Sequence, residues 1–202
     1  MPTWKTHIKI AKDLLKKLDL NESDQELFLI GNILPDINNS YVVKDIKVKI
    51  DHQKTHYVND EIPSYQKFYN EYKDKLNNYL VLGYFVHLYI DYFWNNYFYK
   101  KYNLNIDKDK LKKMKQNDFL VYANKFIDEK ISIKDYDNIL INSKLISNIN
   151  IYKEDLIDVV NYFNNLKPTQ LKYSILNEKE LDILYNNAFV NLQKYINFDI
   201  IK

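Results

Sequence analysis

A chain of 202 residues, 46% hydrophobic and 28% charged, is long enough to bury one sizeable core and too apolar to stay disordered. Its formal net charge is only +2, and every Lys/Arg-type cation is lysine, so there is no strong nucleic-acid signature and no guanidinium clamp for phosphate. Cysteine is absent, which excludes disulfides, thiolate nucleophiles and Cys-type zinc sites.

Helical spacing runs through the chain, which has two glycines and four prolines. Thr6 is expected to cap a first helix whose Ile8, Ala11, Leu14, Leu15 and Leu18 recur at helical intervals. That N-terminal stretch is amphipathic and has no apolar signal-peptide core, so a cytoplasmic protein is expected. Asn21 or Ser23 starts a second helix carrying Leu27, Phe28, Ile30 and Leu34, ending near Pro35. "YVVKDIKVKI", at 41–50, reads equally as a short strand or an extended loop. Pro63 lies near the start of a further helix.

A long helix over about 78–101 follows, then helical segments near 108–129, 134–147, 153–165 and 177–196, with a turn at "KPTQ". The apolar stretch 79–94 is short for a membrane span and is interrupted by His87 and Asp91, so no transmembrane segment is expected. The reading is one all-α domain over 1–202, several helices around a long buried central one.

The four histidines, His7, His52, His56 and His87, all lie in the N-terminal half. His87 and Asp91 are four residues apart and project from one helix face, where together they can grip a cation. Asp36 follows Pro35 in "GNILPDI", and His56 stands in "KTHY". Zinc favours imidazole with carboxylate when a coordination position is left for water, and iron or manganese accept similar ligands. Asp36, His56, His87 and Asp91 make a sufficient ligand set, and His7 can add a neighbouring position, giving one or two ions. Each residue also has a plainer role. His87 and Asp91 can be a hydrogen-bonded core pair, His7 the polar edge of its helix, Asp36 a turn residue, and His56 a loop histidine.

The order and context of these residues resemble the zinc-dependent phospholipase C family, whose superfamily also contains the single-strand-specific zinc nucleases. "THIKIAKDLL" resembles its first helix, "GNILPDI" its Pro-Asp segment, "THYVND" its Ser-His-Phe-type motif, and "LGYFVHLYIDYFW" its Leu-Gly-x-x-x-His-x-x-x-Asp helix. The resemblance implies that His7, Asp36, His56, His87 and Asp91 are metal ligands and that Asp36 also serves as the base. It is confined to about residues 1–100. The family's further histidine, six residues past the helix aspartate, is Tyr97 here, and no histidine follows His87. In the extracellular members the terminal amine helps bind one zinc, a part that Pro2 would take here after removal of Met1.

The expected function is therefore metal-dependent hydrolysis of a phosphoester, on a small phosphoester substrate or a phospholipid head group. Lys54 is a candidate for offsetting phosphate charge, and Tyr57, Tyr84 and Trp94 for lining a pocket or packing the core. Two other readings are a non-catalytic helical binding domain with a relic or structural metal site, and a His-Asp-type phosphohydrolase. The latter needs an adjacent His-Asp pair, and "DH" at 51–52 has the order reversed.

Overall fold

The computed structural model describes residues 2–40, 42–58, 63–102 and 107–196. Among them are ten α-helices and no strand: α1 (Trp4–Leu15), α2 (Glu22–Gly31), α3 (Leu34–Ile37), α4 (His52–Thr55), α5 (Tyr65–Tyr72), α6 (Tyr79–Lys101), α7 (Lys108–Ala123), α8 (Tyr136–Ser143), α9 (Lys153–Asn164) and α10 (Glu178–Tyr195). None is long and apolar enough to cross a membrane.

α6 is the axis of the fold. Asn78 caps it by accepting from the backbone N–H groups of Leu80 and Val81. From Leu80 to Asp91 every residue is buried, because helices pack on all sides of its first half. Tyr84, Phe85, Val86, Leu88 and Trp94 are among the side chains that fill the core there.

α2 crosses α6 at very short range. A Cβ on Gly31 would stand 2.1 Å from the Leu80 carbonyl oxygen, and one on Gly83 would stand 2.2 Å from that of Phe28. The chain's two glycines are thus both spent on one crossing, where neither helix can carry a side chain. Asn32 ends α2 at this point, and its Nδ2 donates to the Gly83 carbonyl at 3.2 Å.

Some boundaries differ from expectation. α1 begins at Trp4 with Thr3 at its N-cap, so Thr6 is a buried residue inside the helix and Leu18 lies beyond its end. The earlier start brings Trp4 onto the buried face. Asn21 caps α2 by accepting from Asp24 N–H. Pro63 lies two residues before α5, as expected, and Ser64 between them caps the helix, its hydroxyl accepting from Lys67 N–H. The described part of 41–50 is neither strand nor helix: Asn38 Nδ2 donates to Val48 O, and Asp155 accepts from Lys47 N–H.

The later helices close the core by side chains that hold backbone. Glu26 on α2 accepts from Lys134 and Asp135 N–H. Lys5 on α1 donates to Glu129 O at 2.6 Å, with its ammonium 4.1 Å from the Phe163 ring centre. Asp118 on α7 accepts from the N–H groups of Ser174, Ile175 and Leu176, which fixes the approach to α10.

Candidate metal centre

Four pieces of chain deliver the candidate residues to one buried point. His7 faces inward from α1, Asp36 from the short α3, His56 from the residue that ends α4, and His87 and Asp91 from one face of α6. Tyr57, directly after His56, takes a left-handed backbone (φ 51°), a costly conformation for a tyrosine that turns the chain away at this point. His7, His56, His87 and Asp91 have no exposed surface, and Asp36 is 5% exposed.

The facing atoms lie close together. His56 Nε2 and His87 Nε2 are 3.2 Å apart. His56 Nε2 is 3.4 Å from Asp36 Oδ1 and 3.5 Å from Asp91 Oδ2. His87 Nε2 is 3.3 Å from Asp91 Oδ2 and 3.8 Å from Asp36 Oδ2. A tetrahedral zinc ion bound at its usual nitrogen and oxygen distances has ligand atoms about 3.4 Å apart. His7 Nε2 approaches the other oxygen of Asp91, Oδ1, at 3.2 Å, and its ring stacks on that of His87 with centres 4.1 Å apart. Two overlapping groups have the spacing to hold an ion: Asp36, His56 and His87, and His7, His87 and Asp91.

The hydrogen bonds behind the rings set which nitrogens carry protons. His87 Nδ1 is 2.8 Å from the Asn32 carbonyl, which can only accept, so Nδ1 carries hydrogen and neutral His87 turns a bare Nε2 inward. Thr55 donates its hydroxyl proton to His52 O at 3.3 Å and can accept from His56 Nδ1, 3.0 Å away. His56 then also turns a bare nitrogen inward. The result is two lone pairs and two carboxylates packed together. Asp91 Oδ2, which lies 3.3 and 3.5 Å from those two nitrogens, is buried with no hydrogen-bond partner, an arrangement that calls for a cation.

The electrostatics agree. Burial pushes the Asp36 carboxyl up, but the adjacent His56 and His87 rings, where either carries a second proton, hold it well below the usual carboxylate range. Burial likewise opposes ionisation of Asp91, and the His87 charge and the His7 hydrogen bond bring it well below normal. His87 itself is raised: burial disfavours its charge, yet the Asp91 and Asp36 carboxylates outweigh that. Burial and the nearby His87 push His7 down to about 4.

Several partners were not singled out by motif. Trp4 Nε1 donates to Asp36 Oδ2 at 2.8 Å and Asn39 Nδ2 to Asp36 Oδ1 at 2.9 Å, so both oxygens of Asp36 are oriented. Tyr84, buried, donates its hydroxyl to the Thr55 carbonyl and steadies the segment before His56. Trp94 packs edge-on to Phe119, and Tyr57 to Phe68, so these aromatics serve the core. His52 packs against His56 with ring centres 3.7 Å apart and planes tilted by 40° but belongs to neither ion-sized group. Tyr97 packs, half-buried, against the core, and Lys54 is exposed.

The class is then an all-α protein whose central helix and three flanking segments enclose a buried cluster of histidines and aspartates compatible with zinc. The sequence model for zinc-dependent phospholipase C matches residues 6–163, and the chain belongs to that family. The match continues past residue 100, where the legible motifs end, and into α9. No curated protein and no solved structure matches the chain.

Proposed function

We propose that the chain is a zinc-dependent phosphoester hydrolase of the phospholipase C type, with Asp36, His56, His87 and Asp91 as zinc ligands and His7 beside them on the second oxygen of Asp91. The observation that carries this reading is the 3.2 Å approach of two buried imidazole nitrogens, both turned inward, between two carboxylates. Bound zinc supplies Lewis-acid chemistry, lowering the pKa of water and polarising a phosphoryl oxygen.

The protein's own groups then do the positioning. The Asn32 carbonyl fixes the His87 tautomer, and Thr55 that of His56. Trp4 and Asn39 hold the Asp36 carboxylate in one orientation, and its depressed proton affinity keeps it ionised. Asp36 can accept a hydrogen bond from the attacking water and aim it, a role closer to orienting than to keeping the proton. In hydrolysis the water oxygen ends on phosphorus, and the alcohol leaves with a proton. Asp36 alone of the five has any exposed surface, so a phospholipid head group or another small phosphodiester approaches from its side.

A second reading has its own observation. The cluster is almost wholly buried, which suits an ion that braces the fold without turning over substrate. Metal content measured by elemental mass spectrometry, together with hydrolysis of bis(p-nitrophenyl) phosphate and a short-chain phosphatidylcholine before and after chelation, separates the two. Bound zinc with chelator-sensitive turnover is expected. Bound zinc that raises the melting temperature without turnover of either substrate leaves the structural reading. No zinc, even after titration, removes the ligand assignment.

A further inference from the structure

An open cleft of about 420 Å³ lies between α8 and the segment that runs into α9, a size that suits a small ligand. Its apolar lining is Leu140 on one side and Ile149 and Ile151 on the other. Asp137, Leu140, Ile141 and Lys144 fall at i, i+3, i+4 and i+7, so α8 and its C-cap turn one face along the cleft. On that face Ile141 is 65% exposed, more than any other large apolar side chain among the described residues.

Charge at the rim is uneven. Asp137 is 3.5 Å from Lys153 Nζ, and Glu154 accepts from Lys47 Nζ at 2.8 Å, so both acids already have a cation. Lys144 lines the same cleft, is exposed, and has no ion pair among the described residues. Three lysines thus meet two acids beside an apolar lining.

We propose that the cleft binds a single-chain anionic amphiphile, its chain on Leu140, Ile149 and Ile151 and its carboxylate or phosphate on Lys144. A cationic head would be repelled by that lysine, and a neutral one would leave its charge unused. Burial of methylene groups supplies most of the affinity, and Lys144 selects the head.

The place of the cleft ties it to the rest of the fold. Asn150, which lines it, exchanges two hydrogen bonds with Asn38: Asn38 Nδ2 donates to Asn150 O at 2.7 Å, and Asn150 N–H to Asn38 Oδ1 at 3.2 Å. Asn38 stands two residues after Asp36. Asn148 Nδ2 donates to Lys54 O at 3.5 Å, two residues before His56. The wall of the cleft is thus fastened to the segments that carry Asp36 and His56, and it gives the chain a hold on lipid that needs no metal. The inference does not rest on the zinc ligands.

The test is calorimetric titration of the full, zinc-supplemented chain with dodecyl phosphate, dodecanoate and dodecyltrimethylammonium, each below its micelle concentration. Wild type is compared with Lys144→Glu and Asn150→Trp. The second sets an indole over the cleft from an exposed side chain, since only the backbone of Asn150 bonds to Asn38. Wild type is expected to bind one equivalent of an anion, and the cation about tenfold more weakly. Lys144→Glu should weaken the anions about tenfold, by losing an attraction and adding a repulsion near the surface. Asn150→Trp should abolish their binding, and chelation of the zinc should leave it unchanged. Whichever anion binds tighter names the source, a lysophospholipid phosphate or a fatty acid.

A wild type that binds none of the three overturns the inference, and so does a cation bound as tightly as the anions. Anion binding that both variants leave unchanged, or that chelation abolishes, puts the amphiphile outside the cleft and overturns it as well. A chain that holds no zinc but binds the anions loses the ligand assignment and keeps the cleft. Should Asn150→Trp fail to fold, Lys144→Glu decides.

Discussion

Single residues at the centre act through the direction in which each polar atom points. His7, His56, His87, Asp36 and Asp91 were legible in the sequence because residue type, order and local context carry that information, and the structure brings all five together. Trp4, Asn39 and the Asn32 carbonyl were not legible, because each acts by one hydrogen bond made in the folded chain. Trp4 reaches across 32 residues to Asp36, and the Asn32 carbonyl meets a ring 55 residues on. Removing the indole donor by Trp4→Phe is expected to weaken zinc binding by about 10–100-fold, the usual cost of losing a group that orients a metal ligand. Chelator competition measures it. Burial holds His7 down to about 4 against 6.5 when unfolded, a share of the pH response that His52, also at about 4, joins and His87, raised by its carboxylates, opposes. The unfolded chain therefore takes up the proton first. The stability contributed by neutral His7 is complete above 6.5 and is lost as pH falls towards about 4, an effect on the order of 3 kcal/mol. Urea midpoints of chelator-treated protein at pH 7 and pH 4.5 are expected to show the drop.

At the level of elements, the long central helix and the order of the later ones followed from apolar periodicity. The ends were harder, since the periodicity of α1 does not say which threonine caps it. The segment after Asn39 was ambiguous for a different reason: its anchors, Asn38 and Asp155, are polar groups from outside it. The two glycines gave no motif of their own, yet they decide how α2 and α6 meet. Gly83→Ala would place a methyl group 2.2 Å from the Phe28 carbonyl oxygen, where backbone has to yield. The expected cost is about 3 kcal/mol, at the upper end for overpacking. Because Asn32 ends α2 at this crossing, the same substitution should move its carbonyl from His87 and weaken zinc binding. Denaturant midpoints and zinc affinity, measured on the same sample, should fall together.

Over the whole molecule, the N-terminal half supplies the centre and the C-terminal half holds it closed. The second role left little trace in sequence, because it rests on side chains gripping distant backbone: Glu26 with 134–135, Asn38 with Asn150, Asp118 with 174–176. Asp118→Ala would leave three backbone N–H groups without their acceptor. It is expected to cost about 3 kcal/mol by denaturant unfolding while leaving zinc stoichiometry unchanged, since Asp118 touches none of the proposed ligands.

The spread of the proposed zinc ligands over residues 36 to 91 also bears on rates. A chain still searching for the α2–α6 crossing cannot present His87 and Asp36 to the same ion, so zinc arrives after the last large barrier has been passed. Its binding energy then deepens the native well and leaves the climb towards it unaltered. Stopped-flow traces should show refolding at one speed with or without zinc, and unfolding that slows as zinc is added. The centre would set how long a molecule lasts, and have little say in how soon it forms.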